Sequence, residues 1–203
     1  MNSSNNVSRR NFLKTSTVGG ALLATAPAAT RALGANDRLN VALIGLGARG
    51  SSLLELVLEH RKNKPDVEIV ALCDVYQKRL NVAAAKAPRA KTYVHHQDVL
   101  ARSDVDAVFI ATPDHWHALI TLAAMENGKD VYVEKPMTHT VEESKEVAHK
   151  AKELKRIVQV GVQGLSWTRW HKIREIVQSG MIGQVVAVQG TYSRNASRGR
   201  LER

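Results

Sequence analysis

Cysteine and aromatic residues are scarce in this chain, and a long apolar run is missing altogether. The single cysteine, Cys73, excludes an internal disulfide. Its setting in the apolar run Val70-Ala71-Leu72-Cys73 reads as a small buried residue rather than a reactive thiol. Aromatics make up 4% of the 203 residues, and they do not alternate with basic residues as a nucleic-acid surface requires. No stretch approaches the roughly 18 apolar residues of a membrane-spanning helix. Acidic residues are absent from the first 35 positions, which hold Arg9, Arg10, Lys14 and Arg31. The last ten carry four arginines against Glu202, so the net charge of +10 resides mostly at the two ends and the body is near +3. Nucleic-acid binding is not expected of such a body. Hydrophobic residues at 44% and charged ones at 24% suit a soluble globular domain, and the length admits one domain and part of another.

What is present begins at Val41-Ala42-Leu43-Ile44, an apolar run leading into Gly45-Leu46-Gly47-Ala48-Arg49-Gly50 and then Ser51-Ser52-Leu53-Leu54. That is a strand, a G-x-G-x-x-G loop and a helix. A dinucleotide pyrophosphate needs main-chain N–H donors at close range, which residues lacking a Cβ permit. Gly45 makes the turn, Gly47 lets the backbone meet phosphate, and Gly50 lets helix pack on strand. The helix N-terminus adds partial positive charge.

Beyond it, apolar strands and amphipathic helices alternate, as in a Rossmann-like parallel sheet of the α/β class with flanking helices. Strands are expected at 40–45, 67–73, 106–111, 130–134 and 157–162, and helices at 50–61, 76–87, 116–127 and 141–155. Asp114 and Thr140 are candidate N-caps, and Gly128 a helix stop. The carboxyl ends of such strands line the edge where open α/β sheets bind ligands. Three further clusters fall there. Asp74 closes the second strand, placed either to accept ribose hydroxyls or to cap the next helix. The first role favours NAD, while Lys78 and Arg79 leave NADP open. Ala111-Thr112-Pro113-Asp114-His115-Trp116-His117 forms a polar turn in which Thr112, Pro113 and His117 are candidates for the nicotinamide half. His115 and His117, two apart without a carboxylate and cysteine set, do not suggest a metal site. Glu134-Lys135-Pro136 closes another strand. Read from residue type alone, Lys135 is a solvated charge, yet a lysine beside a cationic ring surrenders its proton more readily and serves as acid or base. Pro136 is a candidate cis residue.

Ahead of this fold, Ser8-Arg9-Arg10-Asn11-Phe12-Leu13-Lys14 and the acid-free stretch from Thr15 to Thr30 resemble a twin-arginine export signal. Residues 1–35 are therefore read as an address, with cleavage boundaries at Ala26-Pro27-Ala28 or at Ala35. The resemblance implies passage through the export machinery to the periplasm or beyond, as a folded protein. A cofactor must then be loaded first and held tightly, with no membrane span in the mature chain.

The glycine loop, Asp74, the Ala111–His117 turn and Glu134-Lys135-Pro136, in this order, resemble the Gfo/Idh/MocA family of glucose-fructose oxidoreductase and inositol dehydrogenase relatives. The likeness runs from about Arg38 to Tyr192 and includes Ser179-Gly180-Met181-Ile182-Gly183, which looks like that family's turn before its second domain. It implies an NAD(P)-dependent oxidoreductase acting on a sugar-like or cyclitol substrate. Lys135 would then be catalytic. Gly45, Leu46, Gly47, Ala48, Arg49, Gly50, Asp74, Thr112, Pro113, His117 and Glu134 would hold the cofactor, with Glu134 orienting Lys135 or touching the cofactor. A glycosidase or epimerase that borrows and returns hydride, and an inactive nucleotide-binding remnant, are the competing expectations. A homo-oligomer is left open. Domain bounds are expected at 36–160 for the dinucleotide domain and 161–203 for the start of a second α/β domain. That second part offers one helix, Thr168–Ser179, and one strand, Val185–Tyr192, before a loop-like end from Ser193. So little chain cannot bury its own core, and truncation is expected.

Overall fold

In the computed structural model, residues 38–191 are described. The export-signal residues and the end from 192 onward lie outside them. Six strands form one parallel sheet: β1 (Leu39–Ile44), β2 (Val67–Cys73), β3 (Lys91–Tyr93), β4 (Ala107–Ile110), β5 (Asp130–Glu134) and β6 (Val158–Gly161). The connecting helices are α1 (Ala48–Asn63), α2 (Gln77–Lys86), α3 (His96–Leu100), α4 (His117–Glu126) and α5 (Val141–Glu153), and α6 (Thr168–Gln178) follows the sheet. Strand order is β3-β2-β1-β4-β5-β6, so the chain reverses its direction of travel across the sheet between β1 and β4. That reversal opens a crevice above the carboxyl ends of these two strands.

Side-chain alternation along the strands builds two cores, one on each face. Val41 and Leu43 of β1 pack with Leu53 and Leu54 of α1 and Leu80 of α2. Ala42 and Ile44 face the other way, toward Leu100 of α3, Ile120 and Met125 of α4 and Val147 of α5. The pairing of β1 with β2 passes from Val41–Ile69 to Ala42–Ala71 and skips Val70. This bulge lets Ile69 and Leu72, three apart, share the α1 face.

Thr140 caps α5 as expected. Its hydroxyl accepts from the Glu143 N–H, and the Glu143 carboxylate accepts from the Thr140 N–H in return. Gly128, at φ +74°, ends α4. Asp114 does not cap α4. It opens a short 3-10 turn, Asp114–Trp116, and its carboxylate accepts from the adjacent His115 N–H, so α4 begins at His117 behind Trp116. β3 and α3 had no counterpart in the sequence reading. In the other direction, residues 185–191 form no strand. The valines there are apolar enough, but a strand exists only by pairing, and Val186 and Val188 stand about 90% exposed without a ladder.

Chain contacts divide the molecule into a unit ending at Val160 and another beginning at Gly161. Within the second, Gly164 at φ +83° leads into α6, where the Arg169 guanidinium lies 3.8 Å over the Trp167 ring.

Cys73 is buried at the end of β2. Burial, with the charges of Asp74 and Asp98, pushes its thiol from 9.0 up to about 12. The shift is upward, so its stabilising contribution is whole below pH 9 and is lost as pH rises from there toward 12. At pH 8 a thiol reagent is expected to modify the folded chain at least about 100-fold more slowly than the urea-unfolded chain, because so little thiolate forms. Equal rates would show Cys73 to be open to solvent.

Candidate functional site

The glycine loop sits where β1 ends in the crevice. Gly45 adopts φ +89°, a conformation that L side chains rarely take, and a Cβ there would meet the Ala111 carbonyl carbon at 2.7 Å. A Cβ on Gly50 would lie 1.9 Å from the Gly45 carbonyl oxygen, so α1 reaches β1 only with glycine at that position. Gly47 differs. Its nearest neighbour would be Arg79 Nη1 at 3.8 Å, and the space beside it is bounded by no tighter protein contact.

Gly47 is also the N-cap of α1, and no side chain bonds the first-turn N–H groups of that helix, which has no acidic residue in its first turn. The contrast with the fully capped α5 is informative. The donors that Thr140 and Glu143 satisfy in α5 are left in α1 for another acceptor, and an anion held there also meets the positive end of the helix dipole.

Asp74 is buried, and its carboxylate accepts two main-chain N–H groups, from Leu46 at 2.7 Å and from Tyr76 at 2.8 Å. It therefore fixes the glycine turn against the start of α2, and it retains lone pairs for further donors. Leu46 itself is buried with its N–H committed to Asp74, so it shapes the loop and has no main-chain donor to spare for phosphate. Ala48 and Arg49 supply the first helical residues after Gly47.

Glu134, at the end of β5, is buried and accepts from Arg49 Nε at 2.6 Å and from the Tyr132 hydroxyl at 3.3 Å. The Glu134 carboxylate thus meets the glycine loop directly, through Arg49. Although partial burial opposes it, the hydrogen bond and charge of Glu134 raise the Arg49 guanidinium above its ordinary value. Burial, together with the Glu134 charge, likewise raises the Tyr132 phenol. Sequence reasoning missed Tyr132, and its only local signal was its place two residues before Glu134 on the same strand face.

Lys135 follows, exposed at the sheet edge, and its peptide bond to Pro136 is cis. Thr112 and Pro113 stand at the neighbouring exit of β4, and the Thr112 hydroxyl is buried without a partner among the described residues. His117 departs from expectation. It is 2% exposed, with Nδ1 2.6 Å from the Pro136 carbonyl and Nε2 2.9 Å from the Thr112 carbonyl, so neither ring nitrogen is left for a cofactor.

Residues 39–162 match the family model described as an oxidoreductase family with an NAD-binding Rossmann fold, which covers the glycine loop, Asp74, Lys135 and His117. The chain belongs to the Gfo/Idh/MocA oxidoreductase family. Residues 6–26 match the twin-arginine translocation signal, so this family member carries an export signal. A glycosyl hydrolase family 109 protein of Saccharopolyspora erythraea is 33% identical over 93% of the chain, covering 46% of that protein. An inositol 2-dehydrogenase of Rhodococcus jostii is 31% identical over 75% of the chain and 41% of its own length. The crystal structure of myo-inositol 2-dehydrogenase from Lactobacillus plantarum superposes with a TM-score of 0.65 at 30% identity, covering 73% of this chain and 43% of that one. The chain spans less than half the length of these relatives.

Proposed function

We propose that this chain is the cofactor-holding part of an exported oxidoreductase acting on a sugar-like or cyclitol substrate, with NAD loaded before export and retained. Bound nicotinamide supplies a hydride acceptor for a carbon bearing a hydroxyl. Gly47 and the first turn of α1 receive the pyrophosphate, and Asp74 accepts from the ribose hydroxyls while holding the turn in place. Its negative charge disfavours a 2′-phosphate, so NAD is preferred to NADP. Lys135 Nζ takes the hydroxyl proton from the substrate. The observation that carries the reading is the 2.6 Å contact between Arg49 and Glu134, because it joins the phosphate-binding turn directly to the strand end that bears Lys135.

The protein purified from its export compartment is expected to carry stoichiometric nicotinamide dinucleotide through gel filtration, released by acid and quantified by enzymatic cycling. Absence of nucleotide, together with no NAD binding by the apoprotein, overturns the proposal.

A second reading has hydride borrowed and returned during glycoside cleavage or epimerisation. It is supported by the 93% of the chain matched in the family 109 relative, against 75% in the inositol dehydrogenase. Glycoside turnover that leaves bound NAD oxidised at steady state would favour it over net oxidation.

A further inference from the structure

His117 is the one histidine of the described residues whose two ring nitrogens both face main-chain carbonyl oxygens. A carbonyl only accepts, so each contact is a hydrogen bond only when the facing nitrogen carries hydrogen. With hydrogen on Nδ1 the ring donates across to the Pro136 carbonyl at 2.6 Å, the shorter contact and the one that reaches the other turn, while Nε2 lies 2.9 Å from the Thr112 carbonyl of its own turn.

The two carbonyls belong to the two turns that flank the candidate site. Thr112 leaves β4 beside Pro113, and Pro136 follows Lys135 at the exit of β5. β4 and β5 are paired only through Ile110–Val133, so beyond that rung the sheet ladder no longer holds the two exits together. His117, anchored in the core by α4, spans them from below.

We propose that His117 is a positioning residue: its ring, donating from Nδ1 to the Pro136 carbonyl, braces the Thr112 turn to the Lys135-Pro136 turn and so fixes where the Lys135 side chain begins. The link to catalysis rests on the role proposed for Lys135, whereas the brace itself does not.

Two measurements on the full chain test it without requiring turnover. Nitrogen NMR of the histidine-labelled protein, with His117 assigned by its absence in His117→Leu, is expected to show Nδ1 bearing slowly exchanging hydrogen. A bare Nδ1 on that ring overturns the proposal. In His117→Leu, which keeps apolar volume and removes the donor, hydrogen exchange of amides at 135–140 is expected to rise about tenfold, while those of β1 stay unchanged. If the variant does not fold, the NMR result on the native chain stands as the test. If it folds and exchange at 135–140 is unaltered, the ring braces nothing. Failure of NAD retention with both results as expected would remove the reading of the site and leave the brace intact.

Discussion

Gly50→Ala destabilises the fold, whereas Gly47→Asp leaves it intact and removes cofactor binding. The two glycines lie three residues apart in one motif, and the opposite outcomes follow from what surrounds each. A methyl group on Gly50 would sit 1.9 Å from the Gly45 carbonyl oxygen, a main-chain atom that cannot swing aside. Either α1 lifts from β1, uncovering Leu53 and Leu54, or the Gly45 turn is displaced. Both cost about 3 kcal/mol, the upper part of the range for overpacked sites. For a chain of this size that is a fall in midpoint of about 6–12 °C by calorimetry or circular dichroism. Gly47, at φ −64°, suits any residue, and its Cβ would make only ordinary contact with Arg79. An aspartate there is a strong N-cap for a helix that now lacks one, so thermal stability holds or rises. The same carboxylate takes the N–H groups that pyrophosphate needs and repels its charge. NAD affinity by titration calorimetry should drop at least about 100-fold, which corresponds to losing two charge-assisted hydrogen bonds. A Gly47→Asp protein that binds NAD normally would place the pyrophosphate elsewhere.

Much of this arrangement was legible from local pattern. The strand and helix on either side of the glycine loop, the Thr140 N-cap and the Gly128 stop depend on neighbours in sequence, and each formed as the residues indicated. The failures have a common physical origin in non-local contact. β3 is three residues long, too short to display alternation, and exists because Ala71 to Cys73 offer it an edge. Residues 185–191 are valine-rich and found no such edge among the described residues. Arg49 and Glu134 are 85 positions apart, and their ion pair follows only once β1, β4 and β5 are adjacent. His117 misled for a related reason. A polar residue in a crevice-lining turn resembles a ligand contact until the exits of β4 and β5 are set side by side, when its ring becomes the link between their carbonyls.

Lys135→Met is expected to abolish substrate-dependent reduction of bound NAD while leaving NAD affinity within about threefold. The side chain is exposed at the sheet edge, so its replacement removes no core contact, and the midpoint of unfolding should change little. Loss of a positioned proton acceptor lowers the rate by about 10²–10⁴, and the deficit belongs in kcat rather than in cofactor binding. The measurement is single-turnover nicotinamide absorbance across a panel of cyclitols and sugars, with NAD affinity determined separately. Glu134→Gln supplies the comparison. It keeps an amide oxygen for Arg49 and Tyr132 and removes the charge, which loosens the link between the glycine loop and the Lys135 turn. Its effect should fall on NAD affinity and rate together, because Arg49 belongs to the glycine loop proposed to receive the pyrophosphate. A Lys135→Met protein that reduces bound NAD at the native rate would exclude this lysine from the proton transfer. One that loses NAD affinity in parallel with rate would make Lys135 a cofactor ligand instead.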